Sequence, residues 1–390
     1  MTAFTPELEN LRATLRTGQQ LMADWSGGEL AVSAVPGAGK STGMAVATAI
    51  AIAKYKLHRN QQVVIVTFTR SAASNIRKRV RDILQTMRLP QSAFTVNTLH
   101  GLAFSIASSQ PALSGLGSSA VQIISEPQKQ RLIRQATTQW LKENPQLYEQ
   151  LVMGRGFDGE DTERMRRQTV LRTDVLPSLA KEAIAAAKSS SLMPDDLIYS
   201  DAGEILTVAA GLYAAYDRLL RAQDAIDYDD MILGALRVLE NPSVRRFWQE
   251  RIFAVFEDEA QDSSPLQTKL LEILADNSTI SEQDSLNHPI TRESHSPSLS
   301  ANNLIRVGDP NQAINSTFTT ADPRFFNEFC DRCQLKGRLV ELDRAGRSTM
   351  PAIAAANFVL EWVNQSQYAK QEKPFRYQKI HPVDPDDPQP

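Results

Sequence analysis

The stretch Ala34-Val35-Pro36-Gly37-Ala38-Gly39-Lys40-Ser41 decides the reading of this chain. It follows an apolar run at 30–32 and leads into an alanine-rich stretch at 44–53, an order that predicts strand, glycine loop and helix. In such a loop the backbone N–H groups and the positive end of the helix converge on one point, where a polyphosphate fits. Lys40 then reaches the terminal phosphates and the Ser41 hydroxyl sits on Mg²⁺. The stretch predicts binding of a nucleoside triphosphate, and the remaining residues must say what that binding serves.

Four more runs share the character of 30–32: residues 63–67, 252–257, 304–307 and 339–342 are β-branched and apolar. Parallel strands covered on both faces read this way. Most end in a polar motif, and open α/β sheets bind ligands at the C-terminal ends of their strands. The expected fold is a doubly wound α/β core around the glycine loop. Between 111 and 220 helical spacing dominates: Ile133, Ala136, Trp140 and Leu141; Val175, Leu179, Ala183, Ala186 and Ala187; Leu212, Tyr216 and Leu219. This predicts an inserted helical domain, with Gly154, Gly156 and Gly159 in a loop. Residues 276–303 are rich in Ser, Asn, Asp and His and predict a disordered surface insertion, and 382–390 a disordered tail.

Composition narrows the function. Lys plus Arg number 42 against 45 Asp plus Glu, for a net charge of −3, so the chain does not coat itself in nucleic acid non-specifically. Any such contact must come from local patches, such as Arg77, Lys78, Arg79 and Arg81, or Arg155, Arg164, Arg166, Arg167 and Arg172. The first eleven residues are too polar for a signal peptide and 44–53 is too short to span a bilayer, so the expected setting is cytoplasmic, without membrane. Cys330 and Cys333 are the two cysteines. Half a zinc site or a redox pair would need partners that the sequence does not offer, so they read as one helical turn with thiols in the core.

Two acidic motifs follow strands. In Asp258-Glu259-Ala260-Gln261-Asp262, a carboxylate at the strand end can hold Mg²⁺ and its neighbour can orient and deprotonate the attacking water. We assign Asp258 to the metal and Glu259 to the water. Gly308-Asp309-Pro310-Asn311-Gln312 has the composition of a surface turn, and its functional reading puts the Gln312 amide near the γ-phosphate.

Together these runs resemble the ordered motifs of superfamily 1 DNA helicases of the UvrD/Rep/PcrA type. The resemblance extends to the run Val66-Thr67-Phe68-Thr69-Arg70-Ser71-Ala72-Ala73, to Asn97-Thr98-Leu99-His100-Gly101, to Asp227-Tyr228-Asp229-Asp230 and to Arg347-Ser348-Thr349, and it covers roughly residues 15–360. It implies a RecA-like fold, ATP and Mg²⁺ as cofactors, and single-stranded or 3′-tailed duplex DNA as partner, with tracking from 3′ to 5′. Carried over residue by residue, it makes Lys40 and Ser41 the phosphate and Mg²⁺ ligands and Asp258 and Glu259 the metal ligand and catalytic base, and it places Gln312 and Arg347 on the γ-phosphate and Gln19 at the adenine. Phe68, Thr69, Thr98 and His100 match residues against single-stranded DNA. Phe68 suits a stacking platform, since every base offers a π-face. Taken singly, Phe68 also fits a core aromatic and His100 a structural histidine.

The sequence departs from the family pattern in four places. Gly346 stands where an aromatic commonly lies flat on adenine, and Thr42 where an arginine commonly covers the other face. This predicts weaker or less selective base recognition, carried more by Gln19. The DNA-stacking aromatic after Gln312 would be Phe318, one local insertion away. The loop 276–303 is longer than usual. Finally, only the opening strand and helix of a second motor domain are expected, at 337–390, after core segments at 1–110 and 221–336 that flank the insertion at 111–220. The expectation is therefore the N-terminal, ATP-binding part of a helicase. The alternative is a nucleotide-gated DNA-binding fragment without turnover. An unrelated ATPase or kinase would account for the Lys40 loop but not for residues 67–73 or 258–262.

Overall fold

The computed structural model describes residues 6–116, 121–154, 160–197, 203–276, 302–312, 323–366 and 375–383. Most of the expected insertion at 276–303 and most of the tail lie outside them, as do Gly156 and Gly159. Among the described residues no helix is long and apolar enough to cross a membrane.

The described strands are β1 (Leu30–Ala34), β2 (Gln62–Thr67), β3 (Phe94–Thr98), β4 (Gln122–Ile123), β5 (Ala225–Ile226), β6 (Ile252–Asp258), β7 (Leu304–Gly308), β8 (Leu339–Leu342), β9 (Arg344–Ala345) and β10 (His381–Pro382). Six of them form one parallel sheet in the order β3-β2-β6-β7-β1-β8. The α/β class is as expected, with one strand more than the apolar runs showed. That strand, β3, lies at an edge and alternates buried with half-buried residues. A strand covered on one side needs no continuous apolar run, so its pattern is weaker.

One expected boundary is corrected. Residues 339–342 do not open a second domain, because β8 pairs with β1, Ala31 to Leu339 through Ala34 to Leu342. A buried strand must satisfy the backbone groups on both of its edges, and β8 does so for β1. In the helix Met350–Gln365, Ile353 and Leu360 are buried, whereas Phe358 and Trp362 are exposed.

Among the described residues, α1 (Pro6–Ala13), α2 (Thr17–Ala23), α3 (Lys40–Lys54) and α4 (Arg70–Thr86) precede the helical insertion, and α5 (Leu99–Ser109) runs into it. α3 is buried on every side from Gly43 to Ile52, as its unbroken small and apolar sequence requires. α4 buries only Ala73, Ile76, Val80 and Leu84, one stripe at helical spacing. Cys330 and Cys333 are buried free thiols one turn apart on the helix Pro323–Leu335.

The chain divides into two compact units, one from 1–102 with 239–390 and one from 103–238. The helical unit is wider than the expected 111–220. Its ends are drawn in by the β4–β5 pairing, by Leu116 packed against Gly234, and by Arg237, whose guanidinium donates to Ser114 O. Ile133, Ala136, Trp140 and Leu141 are in its core as expected. In the helix Leu176–Ser189, however, the buried face is Leu176, Ala180, Ile184, Ala187 and Lys188, while Val175 is exposed. The observed face lies one residue beyond the expected one; in so alanine-rich a sequence two adjacent stripes are both apolar.

Lys188 is the unexpected member of that face. Its Nζ donates to Asp227 Oδ2 at 2.8 Å and to Asp230 Oδ1 at 2.7 Å. Lys129 Nζ lies 3.1 Å from Asp227 and 3.0 Å from Asp229, and the Tyr216 hydroxyl donates to Asp227 at 2.9 Å. Burial alone would lower the Lys188 amine, but Asp230 and Asp227 outweigh it and hold the pKa above the usual lysine range. Burial likewise pushes Asp227 up, and Lys188 and Lys129 bring it well below the usual carboxylate range. The motif 227–230 is thus the anionic half of a buried ion cluster. Lys188→Met would leave Asp230 without its cation and Asp227 with Lys129 alone, and is expected to cost about 3–5 kcal/mol in urea unfolding, with partial recovery on adding Asp230→Asn.

Candidate functional site

Strand β1 runs directly into the loop 35–39. Gly37 and Gly39 have φ of 75° and 80°, a region that side chains rarely adopt, so glycine is required at both turns. A Cβ on Gly39 would also stand 2.5 Å from Gln19 Nε2. Lys40 opens α3 immediately afterwards, with Ser41 in the first turn. The unpaired N–H groups of that turn face the loop.

The acids arrive from β6 and β7. Lys40 Nζ donates to Glu259 Oε2 at 2.7 Å, and Gln261 Nε2 donates to the same oxygen at 2.9 Å. Gln261 Oε1 accepts the Asp309 N–H at 3.0 Å. One polar network therefore joins three loops. Glu259 has φ 58° and ψ 45°, left-handed backbone that costs a non-glycine residue about 1–2 kcal/mol. Such strain is typical of positions where a side chain must be aimed.

Asp258 is 5% exposed. Burial pushes its carboxyl up to about 7, Glu259 adds to the rise and Lys40 opposes it. Its Oδ1 is buried without a hydrogen-bond partner. An orphaned carboxylate oxygen beside a phosphate loop suits Mg²⁺, which takes one or two carboxylates and completes its shell with substrate phosphates and water. Asp258 and Ser41 are the residues that fit that ion. Among the described residues no group of three or more His, Cys, Asp or Glu side chains could hold a metal on its own. Asp309 is pushed up to about 6 by burial, against the Asn311 N–H and Lys40.

The other nucleotide residues flank this centre. Gln312 lies on the turn after β7, half-buried, its N–H donating to Asp309 O at 3.1 Å. Gly346 N–H donates to Gly37 O at 3.1 Å, and Arg347 N and Cβ lie 3.4 Å from where a Cβ on Gly37 would stand, the side chain being exposed. Thr42 is exposed and accepts a hydrogen bond from Arg79. Gln19 Oε1 accepts from the Arg16 N–H at 3.0 Å, and its Nε2 donates to Ala38 O and Gly39 O, each at 3.1 Å. Its amide is thereby committed to backbone at both ends.

Phe68 and Thr69 follow β2, whereas Thr98 ends β3, and the sheet register sets Thr67 beside Thr98. Phe68 is 39% exposed. The Thr69 and Thr98 hydroxyls accept the N–H groups of Ala72 and Gly101, in the first turns of α4 and α5. His100 Nε2 lies 3.5 Å from Gln267 Nε2. Phe318 lies outside the described residues. Of the basic patches, Arg77 donates to Val96 O, while Arg164 and Arg167 pair with Glu149 and Glu163. The C-terminal edge of one sheet thus carries the triphosphate candidates on β6, β7, β1 and β8, and the DNA candidates on β2 and β3.

A family model described as UvrD/REP helicase N-terminal domain matches residues 15–334. The chain belongs to this family. Among curated relatives, the ATP-dependent DNA helicase UvrD1 of Mycobacterium tuberculosis is 26% identical over 304 residues, 77% of this chain and 33% of the relative. The Mycobacterium leprae protein of the same name is 24% identical over 359 residues, 91% and 40% of the two chains. The exonuclease/helicase subunit RexA of Streptococcus pneumoniae is 31% identical over 151 residues, 38% and 10% of the two. The chain therefore spans 33–40% of the length of the UvrD1 relatives.

Two features of this UvrD/REP-type site were not legible in the sequence. Gln261 stands in the acidic motif, but nothing in the string tells that it bridges Glu259 to Asp309. Glu257 and Arg306 interrupt two apolar strands, and only the register, which sets them side by side, makes them a pair. Arg306 Nε donates to Glu257 Oε2 with both side chains almost fully buried. Ser263 donates to Glu257 Oε1, and Arg306 Nη2 donates to Thr268 Oγ1 at 3.0 Å. The pair anchors the residue before Asp258. Arg306→Leu is expected to cost about 3–5 kcal/mol by urea unfolding, whereas Glu257→Leu/Arg306→Leu should be near neutral.

Proposed function

We propose that this chain is the ATP-binding, ATP-hydrolysing motor portion of a DNA helicase that tracks along single-stranded DNA from 3′ to 5′, entering from single-stranded or 3′-tailed duplex DNA in the cytoplasm. The observation that carries this reading is the Lys40–Glu259–Gln261–Asp309 network beside the orphaned Asp258 oxygen.

Without nucleotide, Lys40 rests on Glu259. A triphosphate in the loop 35–39 offers Lys40 stronger anionic partners, and the amine moves to its terminal oxygens. Glu259 is then released, still oriented by Gln261, to accept a proton from the attacking water. Mg²⁺ held by Asp258 and Ser41 would supply charge neutralisation at the β- and γ-phosphates. Arg347, beside Gly37, would stabilise the charge that develops on the transferred phosphoryl group, and Gln312 would sense its loss. Gln261 supplies a physical link, since a change at Glu259 is felt at the Asp309 backbone and so on the turn that carries Gln312. Phe68 would hold a stacked base while Thr69, Thr98 and His100 line the strand's path.

DNA-stimulated ATPase measurement tests this reading. Glu259→Gln should cut turnover by about 10²–10⁴-fold while ATP binding persists. Wild-type chain that binds DNA with no stimulated hydrolysis would support the nucleotide-gated binding module instead. In a separate titration, Phe68→Ala should weaken binding to single-stranded DNA by about 1–3 kcal/mol with little dependence on base sequence.

A further inference from the structure

The sheet order gives a bound triphosphate a direction. Asp258 ends β6, Glu259 follows it and Asp309 follows β7, all on one side of β1. With the terminal phosphate on that side, the nucleoside leaves toward β8. α2 closes that side and lies so near β8 that a Cβ on Gly18 would stand 2.6 Å from Glu341 O.

The side chain presented there is Arg16. Its Nη2 lies 2.7 Å from where a Cβ on Gly346 would be, and its Nη1 donates to Arg344 O at 3.3 Å. Gly346 is itself bonded to Gly37 in the phosphate loop. Among the described residues no carboxylate pairs with Arg16, and the side chain is half-buried. A flat, weakly hydrated cation thus lies over a position that has no side chain, next to the loop. A guanidinium plane stacks readily on aromatic faces.

We propose that Arg16 stacks on the nucleobase and grips it without reading its edge, an inference that rests on the triphosphate reading above. Every base has a π-face, so the grip does not choose among bases. Gln19, the expected edge reader, has its amide oxygen and nitrogen committed to Arg16 N–H and to Ala38 O and Gly39 O. Base affinity is therefore retained, contrary to the weakening that Gly346 predicts, while selectivity is low.

The test is equilibrium binding of ATP, GTP and ribose 5′-triphosphate, which lacks a base, to the wild-type chain, Arg16→Ala and Arg16→Lys. Both variants should bind ATP and GTP about 5- to 30-fold more weakly and ribose triphosphate unchanged. Arg16→Lys keeps the charge, so its loss isolates the plane. Wild type should bind ATP and GTP within a few-fold, whereas a site built on hydrogen bonds rejects the wrong base by about 10⁴-fold. Equal losses for ribose triphosphate would make Arg16 a phosphate contact and overturn the proposal, as would no loss for ATP or a strong ATP preference. Lys40→Ala separates the two readings, because it should abolish ribose triphosphate binding whatever Arg16 does. Wild type that binds no triphosphate overturns both.

Discussion

The Lys40–Glu259 ion pair is the contact on which the site depends. It ties the first residue of α3 to the loop after β6, and through Gln261 it reaches the backbone after β7. Both partners are only partly buried, so the pair can exchange with an incoming anion at modest cost, as half-exposed ion pairs do. A fully buried pair at the same place would be too costly to break. The left-handed backbone at Glu259 is the counterpart of this arrangement, since strain there aims the carboxylate while the rest of the loop is held by regular hydrogen bonds.

The buried charges elsewhere work in the opposite sense. Glu257–Arg306 lies inside the sheet, and Lys188 with Asp227 and the less buried Asp230 inside the helical unit, each tied by further hydrogen bonds, although Arg306 Nη1 has no partner. Such pairs seldom add stability over an apolar equivalent, but losing one member leaves a buried charge that is very costly. They hold a single arrangement of strand register and helix face. Asp258 has no such partner on Oδ1 and keeps a raised carboxyl, the condition expected of a group reserved for a ligand.

Much of the fold was legible because strands buried on both faces leave apolar runs, and Gly37 and Gly39 announce a loop of unusual φ. β3 was not, because an edge strand alternates. β8 is legible as a strand but its place beside β1 is not, since a run of apolar residues does not name its neighbour. The buried face of the helix Leu176–Ser189 lies one residue from the expected stripe, because two adjacent stripes of this alanine-rich helix are both apolar and packing takes the one that carries Lys188 to Asp227 and Asp230.

The string itself determined which chemical groups are available and that they end strands or begin helices: Lys40 and Ser41 after a glycine loop, Asp258 and Glu259 after an apolar run, Gln312 after another. Those are local facts, set by neighbours within a few residues. Only the tertiary structure decided which groups meet. Gln261 reaches Asp309, Arg306 finds Glu257 and Arg16 lies over Gly346 because parallel register and α2 packing bring together residues far apart in sequence. Hydrogen bonds and ion pairs act over a few ångströms of space, and distance along the chain carries no information about them.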